Sequence, residues 1–191
     1  MKRNMIRITF GIVLCFVMAS GCGGDGTRGI PSDRSSKDLA AQEAKMWVPF
    51  NDGMAIAAKE KRHVVIDFYT SWCHWCKVMD RETFSNPDVK KYLAENFVTI
   101  RINAESTKDT LDYGGVKYTP VTLAQRFGVR GFPSLAYLDR NGELVTVVPG
   151  FVPAKTFLPL LQYVQKECYR QRMTFDEFLK RKGDCDSTGT I

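Results

Sequence analysis

Two cysteines stand three apart at Cys73-His74-Trp75-Cys76. They follow a short apolar run and open a helical pattern. That spacing allows the two sulfurs to close a small disulfide ring and to reopen as a dithiol. At a helix N-terminus, unpaired backbone N–H groups and a partial positive charge favour the thiolate of the first cysteine. They draw its pKa down from about 8.5 into a range of roughly 3.5–7.5. A thiolate attacks a disulfide, and a second thiol then resolves the mixed disulfide. Cys73 is thereby expected to be the exposed nucleophile and Cys76, one turn in, the resolving thiol. Other uses of the pair fit less well. A zinc site needs a second ligand pair, which the chain lacks. A c-type haem needs His directly after the second cysteine, where this chain has Lys77. A purely structural disulfide closing so short a loop would contribute little. No metal or cofactor is expected.

Asp67 lies six residues before Cys73, inside the run His63-Val64-Val65-Ile66-Asp67-Phe68-Tyr69. A buried carboxylate is costly without a partner or a task. One task is moving a proton to or from Cys76 during exchange. The bland alternative is an Asp facing the sheet edge and wetted by solvent. His74 can carry charge near neutral pH and steady a neighbouring thiolate, or it can be a solvated helix residue. Trp72 and Trp75 are expected to form a rim that touches substrate, with partial core packing as the alternative.

The elements that must hold these residues can be read from periodicity. His63–Tyr69 is β-branched and nearly continuous in its apolar character, as a strand buried on both faces requires. A helix follows from about Cys73 to Arg81. Ser85-Asn86-Pro87-Asp88 is a helix start, with Pro87 in the first turn of a helix running to Asn96. Phe97–Asn103 alternates as a second strand. Residues 104–118 are polar, contain Gly114-Gly115 and are expected to be a loop, followed by a short helix over Val121–Phe127. Leu135–Leu138 forms a third strand, Asn141-Gly142 a hairpin turn and Glu143–Val148 the returning strand. Pro153 opens an amphipathic helix carrying Phe157, Leu158, Leu160, Leu161 and Val164 on one face. A last helix spans Thr174–Lys182. Before the first strand, Leu39–Lys61 is helical in pattern, with Pro49 as a break. The order predicts an α/β layered domain with one parallel crossover and an antiparallel edge.

Residues 64–77 (VVIDFYTSWCHWCK) and 128–142 (GVRGFPSLAYLDRNG) together resemble the thioredoxin family. The likeness covers roughly Trp47 to Cys168. It implies a thioredoxin fold, a central mixed sheet of four to five strands flanked by helices. It also implies that Pro133 is the family's cis-proline facing the cysteine pair, and that the backbone at Phe132 pairs with an extended substrate segment. Asp67 falls on the family's buried acid, and Arg101 stands where thioredoxins often carry Lys. Glu82-Thr83-Phe84-Ser85-Asn86-Pro87 extends the likeness to periplasmic thioredoxin-like domains of the transmembrane thiol:disulfide interchange type. That implies a reductant of protein disulfides, recharged by a membrane or soluble thiol donor, with a link to cytochrome c maturation. The chain departs from the family in three ways. His74-Trp75 replaces Gly-Pro between the cysteines, the loop before Pro133 is longer, and the C-terminal helical region continues further. An oxidase or isomerase stays open as an alternative, as does a non-catalytic module that binds a client or a soft metal such as Cu(I).

The chain has 191 residues, 44% apolar and 25% charged, which excludes collagen-like, low-complexity and largely disordered classes. Six cysteines in that length are too few for a disulfide scaffold. Lys2, Arg3 and Arg7 precede an uncharged run from Ile8 to Met18 and the small residues Ala19, Ser20 and Gly21. This is the layout of a secretory signal over 1–21, with an apolar run too short to span a bilayer. Ala19-Ser20-Gly21-Cys22 resembles the lipobox of bacterial lipoproteins, which implies lipidation at Cys22 and attachment to a membrane. Ala19 departs from the usual Leu, so ordinary cleavage stays open. The net charge of +6 loses three positive charges and no acidic one when 1–21 is removed, leaving +3. Nucleic acid is therefore not an expected partner. Residues 22–45 are expected to be a flexible tether, 46–168 the thioredoxin-like domain of an exported, periplasmic protein, and 169–191 a C-terminal helical extension. Cys168 and Cys185 could close a stapling disulfide across that extension, or serve as a second redox pair.

Overall fold

The computed structural model describes residues 46–185. The signal, Cys22 and the tether lie outside them. Its centre is a four-stranded mixed sheet in the order β2-β1-β5-β6. Strand β1 is His63–Tyr69 and β2 is Phe97–Asn103, paired in parallel so that Asp67 sits opposite Arg101. Strand β5, Ser134–Leu138, runs antiparallel to β1 and pairs Asp67 with Leu135. Strand β6, Leu144–Pro149, forms the edge beyond β5 and shifts register near Tyr137 and Leu138.

Alternation along β1 sorts its side chains onto two faces. Val64, Ile66 and Phe68 join one apolar cluster with Phe50 and Ala57 of helix α1 (Phe50–Glu60) and with Leu123 and Ala124 of helix α4 (Pro120–Arg126). Val65 joins the other cluster with Met79, Leu93 and Phe157. These come from helices α2 (His74–Met79), α3 (Pro87–Asn96) and α5 (Ala154–Gln165). Asp67 shares the face of Val65, so it points to the side covered by α2. Gly53 lets α1 approach β2 closely: a Cβ there would lie 2.6 Å from Ile100 Cγ1.

Local sequence sets the helix ends. Asn86 caps α3 by accepting from the N–H groups of Asp88 and Val89, and Pro87 takes the first turn. Thr119 and Thr122 form a reciprocal capping box on α4. Between α2 and α3 the backbone widens into a π-helical turn over Asp80–Phe84. There the Thr83 hydroxyl donates to Val152 O at 2.6 Å, tying this turn to the start of α5.

The structure differs from the sequence expectation over 104–118. That segment contains a small hairpin, β3 (Leu111–Tyr113) and β4 (Val116–Tyr118), rather than a plain loop. Gly114 and Gly115 both take positive φ, 63° and 77°, as its two-residue turn requires. Tyr113 packs edge-on to Phe127, and the Asn51 side chain bridges Thr110 O and Asp112 N–H, both at 2.9 Å. At the other end of the chain, a 3₁₀ turn over Cys168–Gln171 and helix α6 (Phe175–Lys180) pack against α5. Cys168, Met173, Phe178 and Cys185 form a third small core, with Cys168 and Cys185 joined as a disulfide. Glu167, beside it, reaches His63 at the start of β1 (3.2 Å), while Arg170 reaches Asp139 after β5 (2.8 Å).

Candidate active site

The cysteine pair follows the C-terminal end of β1. The N–H of Cys73 donates to Thr70 O, and Cys73 then caps α2, its sulfur accepting from the Cys76 N–H at 3.0 Å. Cys73 and Cys76 are joined as a disulfide with Cα atoms 5.3 Å apart, inside the normal range. The expected exposure of Cys73 is not what the structure has. Both cysteines are 3% exposed, while the neighbours Trp72 and Trp75 stand 67% and 54% exposed. The solvent-facing positions go instead to the two indoles, one just before Cys73 and one between the cysteines. Trp72 packs edge-on to Phe132, and its indole N–H donates to Glu105 at 2.6 Å. Trp75 packs against Phe151 with ring centroids 5.7 Å apart and touches the exposed His74.

The Phe132–Pro133 peptide bond is cis. Pro133 immediately precedes Ser134, the register partner of Phe68, which places it at the same end of the sheet as the cysteines. Its carbonyl accepts from Gly150 N–H at 2.8 Å, joining this turn to the loop after β6 that carries Phe151.

Asp67 is 1% exposed. Arg101 holds it across the β1–β2 register, Nε to Oδ2 at 3.0 Å, and the same guanidinium reaches Asp80 at 2.8 Å. The guanidinium also lies over the rings of Tyr69 and Trp47, 4.5 and 5.5 Å from their centroids. Burial pushes the Asp67 carboxyl up to about 7, against the pull of Arg101 and with a further push from Asp80. A carboxyl with that pKa can both take and give a proton near neutrality. The solvated alternative for Asp67 therefore does not hold.

The fold thus gathers Trp72, Cys73, His74, Trp75, Cys76, Asp67, Phe132 and Pro133 at one end of the sheet. Sequence reasoning missed Asp80, Glu105 and Phe151. Asp80, one turn beyond Cys76, was the one with a visible signal: an acid on the helix that carries the pair. Among the described residues there is no cluster of three or more potential metal ligands, and no helix is long and apolar enough to cross a membrane.

Residues 50–165 match the family of thioredoxin-like domains. The thiol:disulfide interchange protein DsbD of Yersinia pestis (strain Pestoides F) is 31% identical over 109 residues, 56% of this chain and 17% of that protein. DsbD of Ralstonia nicotianae is 30% identical over 128 residues, 66% of this chain and 19% of that protein. The chain therefore spans less than a fifth of the length of either relative. A thioredoxin-fold protein from Helicobacter pylori superimposes with a TM-score of 0.59 at 18% identity, covering 76% of this chain and 92% of that one. A thioredoxin from Thermus thermophilus gives 0.52 at 26% identity, covering 62% and 85%. A four-stranded mixed sheet with helices on both faces, a Cys-x-x-Cys pair capping a helix after the central strand, and a family match over more than half of its length place this chain in the thioredoxin-like domain family.

Proposed function

We propose that this protein is an extracytoplasmic thiol:disulfide oxidoreductase that reduces protein disulfides through Cys73 and Cys76. The observation that carries this is the joined cysteine pair at the cap of α2, on the face of the sheet where Asp67 is buried. In the reduced state the Cys73 thiolate attacks one sulfur of a substrate disulfide. A bond forms between Cys73 Sγ and that sulfur, and the other substrate sulfur leaves as a thiolate. Cys76 then gives up its proton, with Asp67 as the acceptor, and its thiolate attacks Cys73 Sγ. The Cys73–Cys76 bond forms and the first substrate sulfur departs. The substrate gains two electrons, its two thiolates take up one proton from Asp67 and one from water, and the protein is left as the disulfide. A dithiol donor returns it to the reduced form.

Trp72, His74 and Trp75 supply the rim on which substrate rests, and the backbone at Phe132, before the cis Pro133, offers an extended segment its pairing edge. The layout of residues 1–22 supports export to the periplasm and anchoring through a lipid on Cys22. The DsbD likeness supports the reducing direction.

Insulin reduction driven by dithiothreitol tests the activity. The protein should accelerate it, and Cys73→Ser should abolish the acceleration. An undiminished rate in that variant would sink the enzymatic reading and leave a binding module. The Cys73–Cys76 reduction potential tests direction: near about −270 mV marks a reductant, near about −120 mV an oxidant. Cys22→Ala should move the protein from the membrane fraction to the soluble one.

A further inference from the structure

Between β6 and α5 runs a groove of about 560 Å³ that no step above uses. Val145, Thr146 and Val148 of β6 form one wall and Leu160 of α5 forms another. Tyr169 and Phe175, from the C-terminal extension, close it below. No Asp, Glu, Lys, Arg or His lines it. Phe151 lines it, and the same ring meets Trp75, the residue before Cys76. Phe151 thus links the groove to the rim of the site. Strand β6, which walls it, is the edge of the sheet and pairs on one side only.

These features select an occupant. A lining free of ionisable acids and bases offers nothing to a charged ligand, whose desolvation would go uncompensated. An edge strand offers backbone donors and acceptors to another extended strand, and side chains projecting every second residue from that strand would enter an apolar trough. Through Phe151 and Trp75 the trough adjoins the rim around the cysteine pair. We propose that the groove receives an extended, apolar segment of the substrate polypeptide, adjoining the cysteine that Cys73 attacks. The extension after Gln165 is thereby part of substrate selection, because it supplies Tyr169 and Phe175. This inference rests on the oxidoreductase reading and adds the class of substrate: disulfides flanked by apolar, strand-forming sequence in unfolded or flexible chains.

Two synthetic disulfide peptides test it. They share the residues next to the cysteines and differ in a flanking segment, Val/Phe-rich in one and Ser/Gly-rich in the other. The fully reduced full-length protein should reduce the apolar-flanked peptide at least about tenfold faster at limiting concentration, the effect of one apolar side chain leaving water. Thr146→Glu introduces a charge at an exposed position of the trough and should bring the ratio close to one. Thr156→Glu, at the opposite wall, should do the same and covers the case that the first variant folds poorly. Equal rates for both peptides in the wild-type protein, or a ratio that neither variant moves, would overturn the inference while leaving the oxidoreductase reading intact. Failure to reduce either peptide would instead strike at that reading. A wild-type dimer in sedimentation that Thr146→Glu turns into monomer would assign the groove to a second copy of this chain, and would also overturn it.

Discussion

Arg101 and Asp67 are register partners on adjacent parallel strands, and the guanidinium Nε of one stands 3.0 Å from the carboxylate of the other. The pairing opposes the upward shift that burial imposes on Asp67, while Asp80, held by the same guanidinium, adds to that shift. Two variants should therefore move the pH dependence of disulfide exchange in opposite directions. Arg101→Met should carry the limb near pH 7 to higher pH, and Asp80→Asn should carry it lower. Asp67→Asn should slow exchange and erase the limb. Stopped-flow rates between pH 5 and 9 would show this; a profile indifferent to all three would remove Asp67 from the proton path.

The same group carries a stability signature. The folded pKa of Asp67, about 7, lies above its ordinary 3.8. Between those values the folded state holds a proton that the unfolded state has lost, so stability falls as pH rises through the window. Asp67→Asn lacks this loss. Its stability relative to wild type should increase with pH from about 4 to 7, by on the order of 1 kcal/mol per pH unit, and level off above. Urea unfolding across that range is the measurement.

Cys76→Ser should retain the first attack and lose the second. Incubated with a disulfide substrate, it should accumulate a mixed disulfide through Cys73 that is visible by mass spectrometry. Cys73→Ser should not. Substrate captured equally by both variants would reverse the assignment of nucleophile and resolving thiol.

The Cys168–Cys185 disulfide spans 17 residues and pins α6 to α5. Replacing both cysteines by Ala should lower stability by about 3 kcal/mol, the chain-entropy value for a loop of this size. Activity measured well below the melting temperature should persist. Loss of turnover in a variant that is still folded would make this pair a redox partner of Cys73 and Cys76 instead of a staple.

Gly53→Ala tests the packing of α1 on the sheet. The added methyl would stand 2.6 Å from Ile100 Cγ1 and 2.9 Å from Val48 Cγ2, so β2 or α1 must move. A loss of 1–3 kcal/mol, typical of an overpacked core, is expected in chemical denaturation.

The strands were legible because β1 and β5 are apolar on both faces, and Asn86-Pro87 and Thr174 marked helix starts. Cys73, Cys76 and Asp67 were legible because a redox spacing and a lone acid inside an apolar run each need a chemical reason. The β3–β4 hairpin was not, since three-residue strands carry too little periodicity, and its anchors Tyr113–Phe127 and Asn51–Asp112 are long-range contacts. Glu105 and Phe151 were hidden for the same reason: each acts through a partner on another element, Trp72 and Trp75. The burial of Cys73 is a tertiary property, and spacing says nothing of that.

The disulfide between Cys168 and Cys185 adjoins Glu167, which touches His63 at the first residue of β1, whereas Cys73 comes after the last. Seven strand residues, about 23 Å of extended chain, therefore lie between the two disulfides. With Cys168–Cys185 as a staple, a reduced Cys73 stands a strand length from the second bond of its own molecule, and cleavage there would be bimolecular. Its rate would rise with protein concentration and vanish on dilution.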